Sequence, residues 1–403
     1  MAKWPQVLLG ELAADEKSAI SKPYGSAILK EDYRSTGVPV VRGVNLAQGV
    51  FLDDDFVFID DDVAARMPGA ELRAGDLVVT HRGTVGQVSM IPRRPRFERY
   101  VASTSHVKVR LDPHKAVAEF YYYWFTSPYG RYSILRNTSI VGVPGIAQPV
   151  ATVKRLQVPR PPMPVQRAIA DVLGALDDKI AANARLCGLV DKVVAAEFQQ
   201  LSDDRSAAEL AEIAEVNRRV TKPIPGGALR YLDISSVGRG NYDFPEMSLW
   251  DDAPGRARRV LTPGDTIWST VRPNRRSHAL VLDDDPLLIA STGLAVLTPK
   301  AGRIAGLYEA SRTDDFVSYL ESVAEGSAYP AVRADRFLEG PIPALGAAEW
   351  ASFEAFALPL RKRAHAAAVE SRRLAVTRDE LLPLLVSGKV HVKGAQEVVE
   401  GAL

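Results

Sequence analysis

Two long segments with regularly spaced apolar residues dominate the hydrophobic pattern of the chain. In the first, mainly apolar positions alternate at spacings of three and four, which is typical of a two-stranded coiled coil. These positions are Ile169, Leu173, Leu176, Ile180, Asn183, Cys187, Val190, Val194, Glu197 and Leu201. Pro161, Pro162 and Pro164 precede or open this segment, and proline is tolerated in the first turn of a helix but not in its interior. The pattern predicts a helix over residues 161–201, which is longer than one small domain requires.

The same pattern returns near the C-terminus, after Pro341-Ile342-Pro343. The repeating positions are Trp350, Phe353, Ala357, Leu360, Ala364, Ala367, Ser371, Leu374, Arg378, Leu381 and Leu385. Ser387-Gly388 is a suitable stop, so we predict a second long helix over residues 344–388 and a flexible tail over residues 389–403. The alternative is that both are core helices of one large domain. Helices of this length with a narrow apolar seam are uncommon in a single core.

The segments that precede the two helices share short motifs in the same order, which predicts an internal duplication. Leu261-Thr262-Pro263-Gly264-Asp265-Thr266-Ile267 resembles the segment from Leu72 to Val78. Ile289-Ala290-Ser291-Thr292-Gly293 resembles the segment from Val101 to Ser105, and the segment from Ser327 to Val332 resembles the one from Val143 to Ala147. We therefore predict related globular domains over residues 1–160 and 202–343. Several motifs have the turn-then-strand pattern of a β-sheet.

Between these shared motifs, the two domains differ at one polar loop. Thr80-His81-Arg82-Gly83-Thr84 in the first domain corresponds in position to the segment from Thr270 to Arg276 in the second. A constant frame with a variable polar loop suits a duplicated recognition module that has two targets, because arginine can bind guanine or phosphate and asparagine can bind adenine. The alternative is a pair of ordinary surface turns. The candidate DNA-contacting residues are His81, Arg82, Thr84, Arg272, Asn274, Arg275, Arg276 and Tyr329.

Composition limits the possible functions. The chain has 403 residues and a net charge of only +1, so any DNA-binding surface must come from local clustering of arginine. Arg93, Arg94, Arg96 and Arg99, and likewise Arg256, Arg258 and Arg259, fit phosphate contacts and solvated surface equally well. The single cysteine excludes an intrachain disulfide, and no Cys/His spacing suits a metal. No apolar run is long enough for a membrane span, so we expect a cytoplasmic protein.

The residues that follow the first domain resemble the central conserved region of a known family, the specificity subunits of type I restriction–modification enzymes. The resemblance lies in the segment from Val158 to Ala170 and in Leu173-Gly174-Ala175-Leu176-Asp177-Asp178-Lys179-Ile180. The segment from Gly264 to Ile267, that from Val271 to Asn274, and the ending from Leu374 to Gly388 are also similar to the family. Two departures stand out: Gly346-Ala347-Ala348-Glu349 lacks a counterpart of Gln166, and Pro359 lies inside the second helix.

This resemblance implies an α+β fold with two α/β target recognition domains, whose sheets are mixed or antiparallel. An antiparallel pair of long helices would separate them with pseudo-two-fold symmetry. Each domain would recognise one half of a bipartite DNA target, and the helices would set the spacing. The partners would be double-stranded DNA, two methyltransferase subunits and two restriction subunits. Residues implied at partner interfaces are Gln166, Asp177, Asp178 and Arg378.

The same resemblance implies a chain without catalysis or cofactor of its own. S-adenosylmethionine, ATP and magnesium would belong to the partner subunits. The sequence agrees, since it has no Gly-rich phosphate loop ending in Lys-Ser/Thr and no Asn/Asp-Pro-Pro-Tyr/Phe motif. Two other classes remain open. The first alternative is a coiled-coil scaffold without DNA specificity, and the second is an enzyme with an unrecognised site.

Overall fold

The structure is a computed structural model that describes residues 4–23, 28–139 and 144–401. It divides into two compact units, and each contains β-sheets, short helices and part of both long helices. The first unit consists of Met1–Ala181 and Ser371–Leu403, and the second of Ala182–Glu370. The sequence predicted domains that end where the helices begin. The units divide elsewhere because each globular part packs against segments of both helices.

The elements up to the first long helix alternate short strands with short helices. They are β1 (Gln6–Leu8), β2 (Ile20–Ser21), β3 (Val38–Val41), β4 (Val57–Ile59), α1 (Asp61–Ala65), β5 (Glu71–Leu72), β6 (Leu77–Thr80), β7 (Val88–Met90), β8 (Tyr100–Ala102), β9 (His106–Val109), α2 (Ala118–Thr126), α3 (Pro128–Leu135), β10 (Thr138–Ser139), β11 (Gly145–Ile146), α4 (Pro149–Lys154), β12 (Gln157–Pro159) and α5 (Met163–Ser202).

The remaining elements repeat much of this order. They are β13 (Ala207–Glu209), β14 (Ala214–Val216), β15 (Ala228–Leu232), β16 (Met247–Leu249), β17 (Ala257–Val260), β18 (Thr266–Ser269), β19 (His278–Leu280), β20 (Leu288–Ser291), β21 (Leu294–Pro299), α6 (Ile304–Ala310), α7 (Asp314–Ser322), β22 (Pro341–Pro343), α8 (Ala347–Val386) and α9 (Val392–Glu400).

Strand order confirms the internal duplication. The first unit has a four-stranded antiparallel sheet in the order β2-β9-β6-β7 and a mixed sheet in the order β4-β3-β8-β5. The second unit repeats them as β14-β21-β18-β19 and β16-β15-β20-β17. In both mixed sheets the central pair is parallel. The first two pairs of matched motifs fall on equivalent strands, and the third pair provides equivalent bridges, Gly145 to Arg82 and Ala331 to Val271; Val143 lies outside the described residues.

The two long helices confirm the predicted segments, with small shifts of their ends. Both α5 and α8 have 40 residues, and α8 continues through Pro359. One seam position was wrong: Glu197 is exposed, whereas Phe198 is 3% exposed and packs in the core of the second unit. A straight helix has 3.6 residues per turn, so its buried face drifts from a 3.5-residue seam over several turns.

In the second unit, the segments of the two helices pair in opposite directions. Asn183 donates a hydrogen bond of 2.7 Å to the Glu370 carboxylate. Further along, the ring of Phe198 lies edge-on to that of Phe353, with 5.1 Å between centroids. Residue numbers rise along α5 while they fall along α8, so the paired segments are antiparallel, as predicted.

The C-terminal tail was predicted to be flexible, and this was wrong for most of its length. Residues 392–400 form the helix α9, in which Ala395 is 1% and Val399 is 4% exposed. Both side chains belong to the main hydrophobic core of the first unit. The apolar residues at i and i+4 give this short helix one face that packs against a core. Residues 402 and 403 lie outside the described part.

Candidate nucleic-acid interface

Both candidate loops leave the antiparallel sheet of their unit at the same strand connection. Residues 81–87 join β6 to β7, and residues 270–277 join β18 to β19. β6 and β18 are internal strands, each hydrogen-bonded on both sides. An internal strand holds the beginning of its loop in a fixed position, so a rigid scaffold presents both loops.

An aspartate fixes the turn before each of these strands. The Asp76 carboxylate accepts a 2.8 Å hydrogen bond from the backbone amide three residues earlier and binds the Arg110 guanidinium at 2.6 Å. Asp265 accepts the equivalent amide bond at 2.8 Å and binds Arg219 at 2.8 Å. Both aspartates are buried. The two strands therefore start from the same locked turn, in agreement with the shared Gly-Asp motif.

Backbone hydrogen bonds correct the alignment of the two loops by one residue. The amide of His81 donates to Ser105 O at 3.0 Å, and the amide of Thr270 donates to Gly293 O at 3.0 Å. The carbonyls of the same two residues accept bonds of 2.9 and 2.8 Å from the segment before the Pro-rich exit. His81 is therefore the counterpart of Thr270. The sequence comparison had instead placed Thr80 opposite Thr270.

Arg82 and Arg272 consequently do not occupy equivalent positions. Arg82 corresponds to Val271, and Gly83 corresponds to Arg272. Both members of the latter pair have left-handed backbone, with φ of 86° for Gly83 and 54° for Arg272. The amides of these two residues donate to matching carbonyls, at 3.2 and 2.7 Å. The backbone course is retained, while the side chains along it differ.

In the first unit the predicted Arg82 and Thr84 are exposed. The Thr84 hydroxyl donates to the Gln87 side-chain oxygen at 2.9 Å, which leaves the Gln87 amide group free to act as a donor. Across the described ranges, the Arg82 guanidinium has no hydrogen-bond or ion-pair partner. An exposed guanidinium of this kind retains its donors for a ligand.

In the second unit, Asn274 and Arg275 lie on one turn of 3-10 helix and are exposed. Neither side chain bonds to another residue in the part of the chain that the structure describes. A free amide and a free guanidinium are the groups that bind adenine and guanine edges in pairs of hydrogen bonds.

The other three candidates of the second unit are Arg272 and Arg276, which lie in this loop, and Tyr329, which contacts it. The Arg272 guanidinium stacks over the ring of Tyr329 at 4.6 Å from the centroid and donates to Ala328 O at 3.4 Å. Arg276 pairs with Asp314 at the start of α7. Tyr329 itself is 70% exposed. Tyr329 therefore presents an open ring face or edge, while Arg272 and Arg276 already have partners.

His81 is buried, and this favours a structural role over a direct contact with DNA. Its Nε2 atom donates to the carbonyl oxygen of Thr104 at 3.0 Å. Burial lowers the pKa of His81, and the positive charge of Lys22 adds to this. The neighbouring His106 is 1% exposed, and burial followed by the charge of His81 lowers its pKa to about 4. Burial therefore disfavours the charged imidazole at both histidines.

Arg239, which was not predicted from the sequence, lies beside the second loop. Its Nε atom donates to the carbonyl oxygen of Arg275 at 3.2 Å, and its side chain is exposed. Arg259 donates to Thr292 O at 3.3 Å, and the next residue, Gly293, accepts the backbone bond from Thr270. Burial lowers the pKa of Arg259. Only flanking glycines mark Arg239 in the sequence, so no pattern could have identified it.

Gln166, predicted at a partner interface, is fully buried, and that prediction is wrong. Its side-chain oxygen accepts a 2.9 Å hydrogen bond from the amide of Val117, just before α2. Its side-chain nitrogen donates to Pro161 O at 2.8 Å. In the second unit Glu354 has the corresponding role, because its carboxylate accepts bonds of 2.9 and 3.0 Å from two amides at the start of α6. The second unit therefore has no glutamine equivalent to Gln166, and Glu354 makes the corresponding backbone contacts.

Asp177 and Arg378 also bind within the first unit. The Arg378 guanidinium lies 2.7 Å from one oxygen of Asp177, and the other oxygen accepts a 2.8 Å bond from the Tyr123 hydroxyl. Burial, followed by the charge of Asp177, raises the pKa of Tyr123. These contacts give both residues a structural role. Asp178 is exposed, so of the four predicted interface residues it is the one whose side chain is most open to a partner.

The described residues contain neither a metal-ion site nor a membrane-spanning helix. In residues 4–23, 28–139 and 144–401, no group of His, Cys, Asp and Glu is arranged to hold a metal ion. Among the helices so described, none combines the length and the apolarity that crossing a membrane requires.

Comparison with known proteins connects this geometry to one family. Residues 4–187 match the family described as type I restriction modification DNA specificity domain. The fold is similar to that of the type I restriction-modification system S subunit from M. genitalium, at 16% identity over 95% of this chain and 96% of that chain, with a TM-score of 0.60. The curated proteins contain no match to the sequence.

Two further solved structures match at lower TM-scores. One, from work on complex assembly and conformational transition of the type I R-M system, is 18% identical over 96% of this chain and 98% of that chain, with a TM-score of 0.38. The HsdS subunit from Thermoanaerobacter tengcongensis is 16% identical over 96% and 97%, with a TM-score of 0.36. Residues 4–187 therefore match the type I restriction modification DNA specificity domain family, and the chain as a whole has the fold of the S subunit from M. genitalium.

Proposed function

We propose that this chain is the non-catalytic DNA-recognition subunit of a type I restriction–modification complex, and that each unit recognises one half of a bipartite target. The observation that carries the proposal is the pair of loops at the same strand connection of two copies of one sheet. Their backbones share hydrogen bonds, whereas their exposed side chains differ. Duplicated scaffolds with different polar groups suit two different half-sites.

The exposed groups have the chemistry of base recognition. Arg82 and Arg275 carry guanidinium groups suited to guanine, and Asn274 carries an amide suited to adenine. Arg239 lies beside the second loop and is suited to a phosphate contact, which positions a protein on DNA without selecting sequence. The modest net charge of +1 agrees with a basic surface that is local rather than general.

The helices α5 and α8 would set the distance between the half-sites. A helix of 40 residues is ~60 Å long, which corresponds to between one and two turns of B-DNA. Inserting one heptad into each helix, at facing exposed positions, adds ~10 Å, or about three base pairs. The unread gap in the target should lengthen accordingly. An unchanged gap in the methylated target would refute this spacing role.

The remaining functions would belong to other subunits. We expect two methyltransferase subunits that use S-adenosylmethionine and two restriction subunits that use ATP and magnesium, all in the cytoplasm. The exposed Asp178 is the predicted interface residue that the geometry still supports. The test is to sequence methylated bases in cells with and without this chain. A bipartite methylated motif should depend on the chain.

One binding experiment separates the proposal from the scaffold alternative. The purified chain, mixed with its methyltransferase subunit, should retain duplex DNA on a filter at low salt. Failure to retain any duplex, with the complex intact, would favour a coiled-coil scaffold. Methylation or cleavage by the chain alone would instead show an enzyme.

A further inference from the structure

Helix α3 of the first unit and its C-cap residue, Arg136, expose aromatic and basic side chains. Tyr129 is 47% and Tyr132 is 69% exposed, and Arg131 and Arg136 are also exposed. The helix contains no acidic residue between Pro128 and Leu135. Large exposed tyrosines next to unpaired arginines indicate a binding surface more strongly than scattered surface charges do.

Neither arginine is engaged within the protein. Over residues 4–23, 28–139 and 144–401, no carboxylate pairs with Arg131 or Arg136. The equivalent helix in the second unit has the opposite character, since α7 begins with Asp314-Asp315 and Asp314 binds Arg276 of the adjacent loop. The second unit uses this helix to hold its loop, whereas the first unit leaves its cations open.

The side of α3 that carries Arg131 and Leu135 adjoins the first candidate loop. A Cβ at Gly86 would lie only 2.9 Å from the Leu135 side chain, so glycine allows α3 to pack closely against the loop. Between them is a cleft of about 600 Å³. Thr84, Gln87 and Arg131 line it, and they place hydroxyl, amide and guanidinium groups along one path.

We propose that this face of α3 is a second DNA-contacting surface of the first unit, which binds the phosphate backbone beside the bases that the loop recognises. The inference rests on the proposed function. Two unpaired guanidinium groups match the regular negative charge of a nucleic-acid strand. The tyrosines provide ring faces for sugar contacts and hydroxyl groups for phosphate oxygens. Because phosphate contacts carry no base information, the surface adds affinity and leaves target choice to the loop.

The test uses the full chain with its methyltransferase subunit and a fluorescent duplex of random sequence. Binding is measured by anisotropy at several salt concentrations. The variant Arg131→Ala/Arg136→Ala should bind about tenfold more weakly per arginine near 0.1 M salt, and the slope of log K against log salt should fall by about two. The control, Lys154→Ala/Arg155→Ala, removes the same charge at the end of α4, where both side chains are exposed.

The salt dependence of binding and the methylated motif together distinguish the outcomes. A reduced slope in the α3 variant alone, with an unchanged methylated motif in cells, supports the inference. Equal losses in the control variant show a general charge effect and overturn it, as does an unchanged slope. If Arg275→Ala alters the methylated motif while the α3 variant binds normally, the inference fails and the proposed function stands. If the wild-type complex neither binds DNA nor yields a motif, the proposed function itself fails.

Discussion

Replacing Gln166 by leucine tests whether this residue supports the fold or contacts a partner. The side chain is fully buried and holds Val117 N at 2.9 Å and Pro161 O at 2.8 Å. Leucine has a similar volume, so little cavity forms, but two buried backbone groups lose their partners. Each orphaned group costs about 1–3 kcal/mol, so the free energy of unfolding should fall by about 2–6 kcal/mol. For a unit of roughly 200 residues, the midpoint should drop by at least about 4 °C.

The assay is thermal unfolding of the full chain, followed by calorimetry or circular dichroism. Asp178→Asn is the control, because this exposed residue on the same helix makes no contact that the fold requires. Gln166→Leu should melt early, whereas Asp178→Asn should melt like the wild type. If Gln166→Leu melts normally but no longer binds a methyltransferase subunit, then the structural role is refuted and the residue is a partner contact.

Three further predictions concern single side chains. Glu354→Gln replaces one acceptor oxygen with a donor that faces a backbone amide, so urea unfolding should show a loss of about 1–3 kcal/mol. Lys108 is fully buried with its nearest carboxylate, Glu16, 3.9 Å away, and burial lowers its pKa. Lys108→Met should therefore raise stability by about 1–3 kcal/mol below that lowered pKa. The gain should vanish as pH rises towards the unfolded value near 10.4, because the wild type then loses its penalty. Arg275→Ala should change one half of the methylated motif and Arg82→Ala the other; changes in the same half would contradict separate recognition.

The sequence predicted features that depend on periodicity or on recurring motifs. Apolar spacing identified both 40-residue helices, and the Gly-Asp turn before β6 and β18 identified the duplication. These features are local, so they are visible in the chain. Gln166 shows what local sequence cannot predict. A polar residue near a helix start has the same pattern whether it faces a partner or a buried amide, and only the position of Val117 decides between them.

Long-range geometry also explains why the tail prediction failed. The segment over residues 392–400 has only nine residues, and an isolated helix of that length is marginal in water. Its order comes from Ala395 and Val399, which enter a core built by residues far away in the chain. Burial supplies the stability that so short a helix lacks alone, and the local sequence does not show which core its apolar face will meet.

The one-residue slip in aligning the loops has a physical cause that also bears on DNA recognition. Main-chain hydrogen bonds impose a left-handed residue at the same point of both loops, yet they do not depend on side-chain type. Gly83 adopts this backbone freely, whereas Arg272 incurs a cost of about 1–2 kcal/mol. Stacking on Tyr329 and the bond to Ala328 O offset that cost at the same residue. Arg272 is therefore committed to holding the loop, so under the proposed function the groups that this arrangement leaves free for base contacts are those of Asn274 and Arg275.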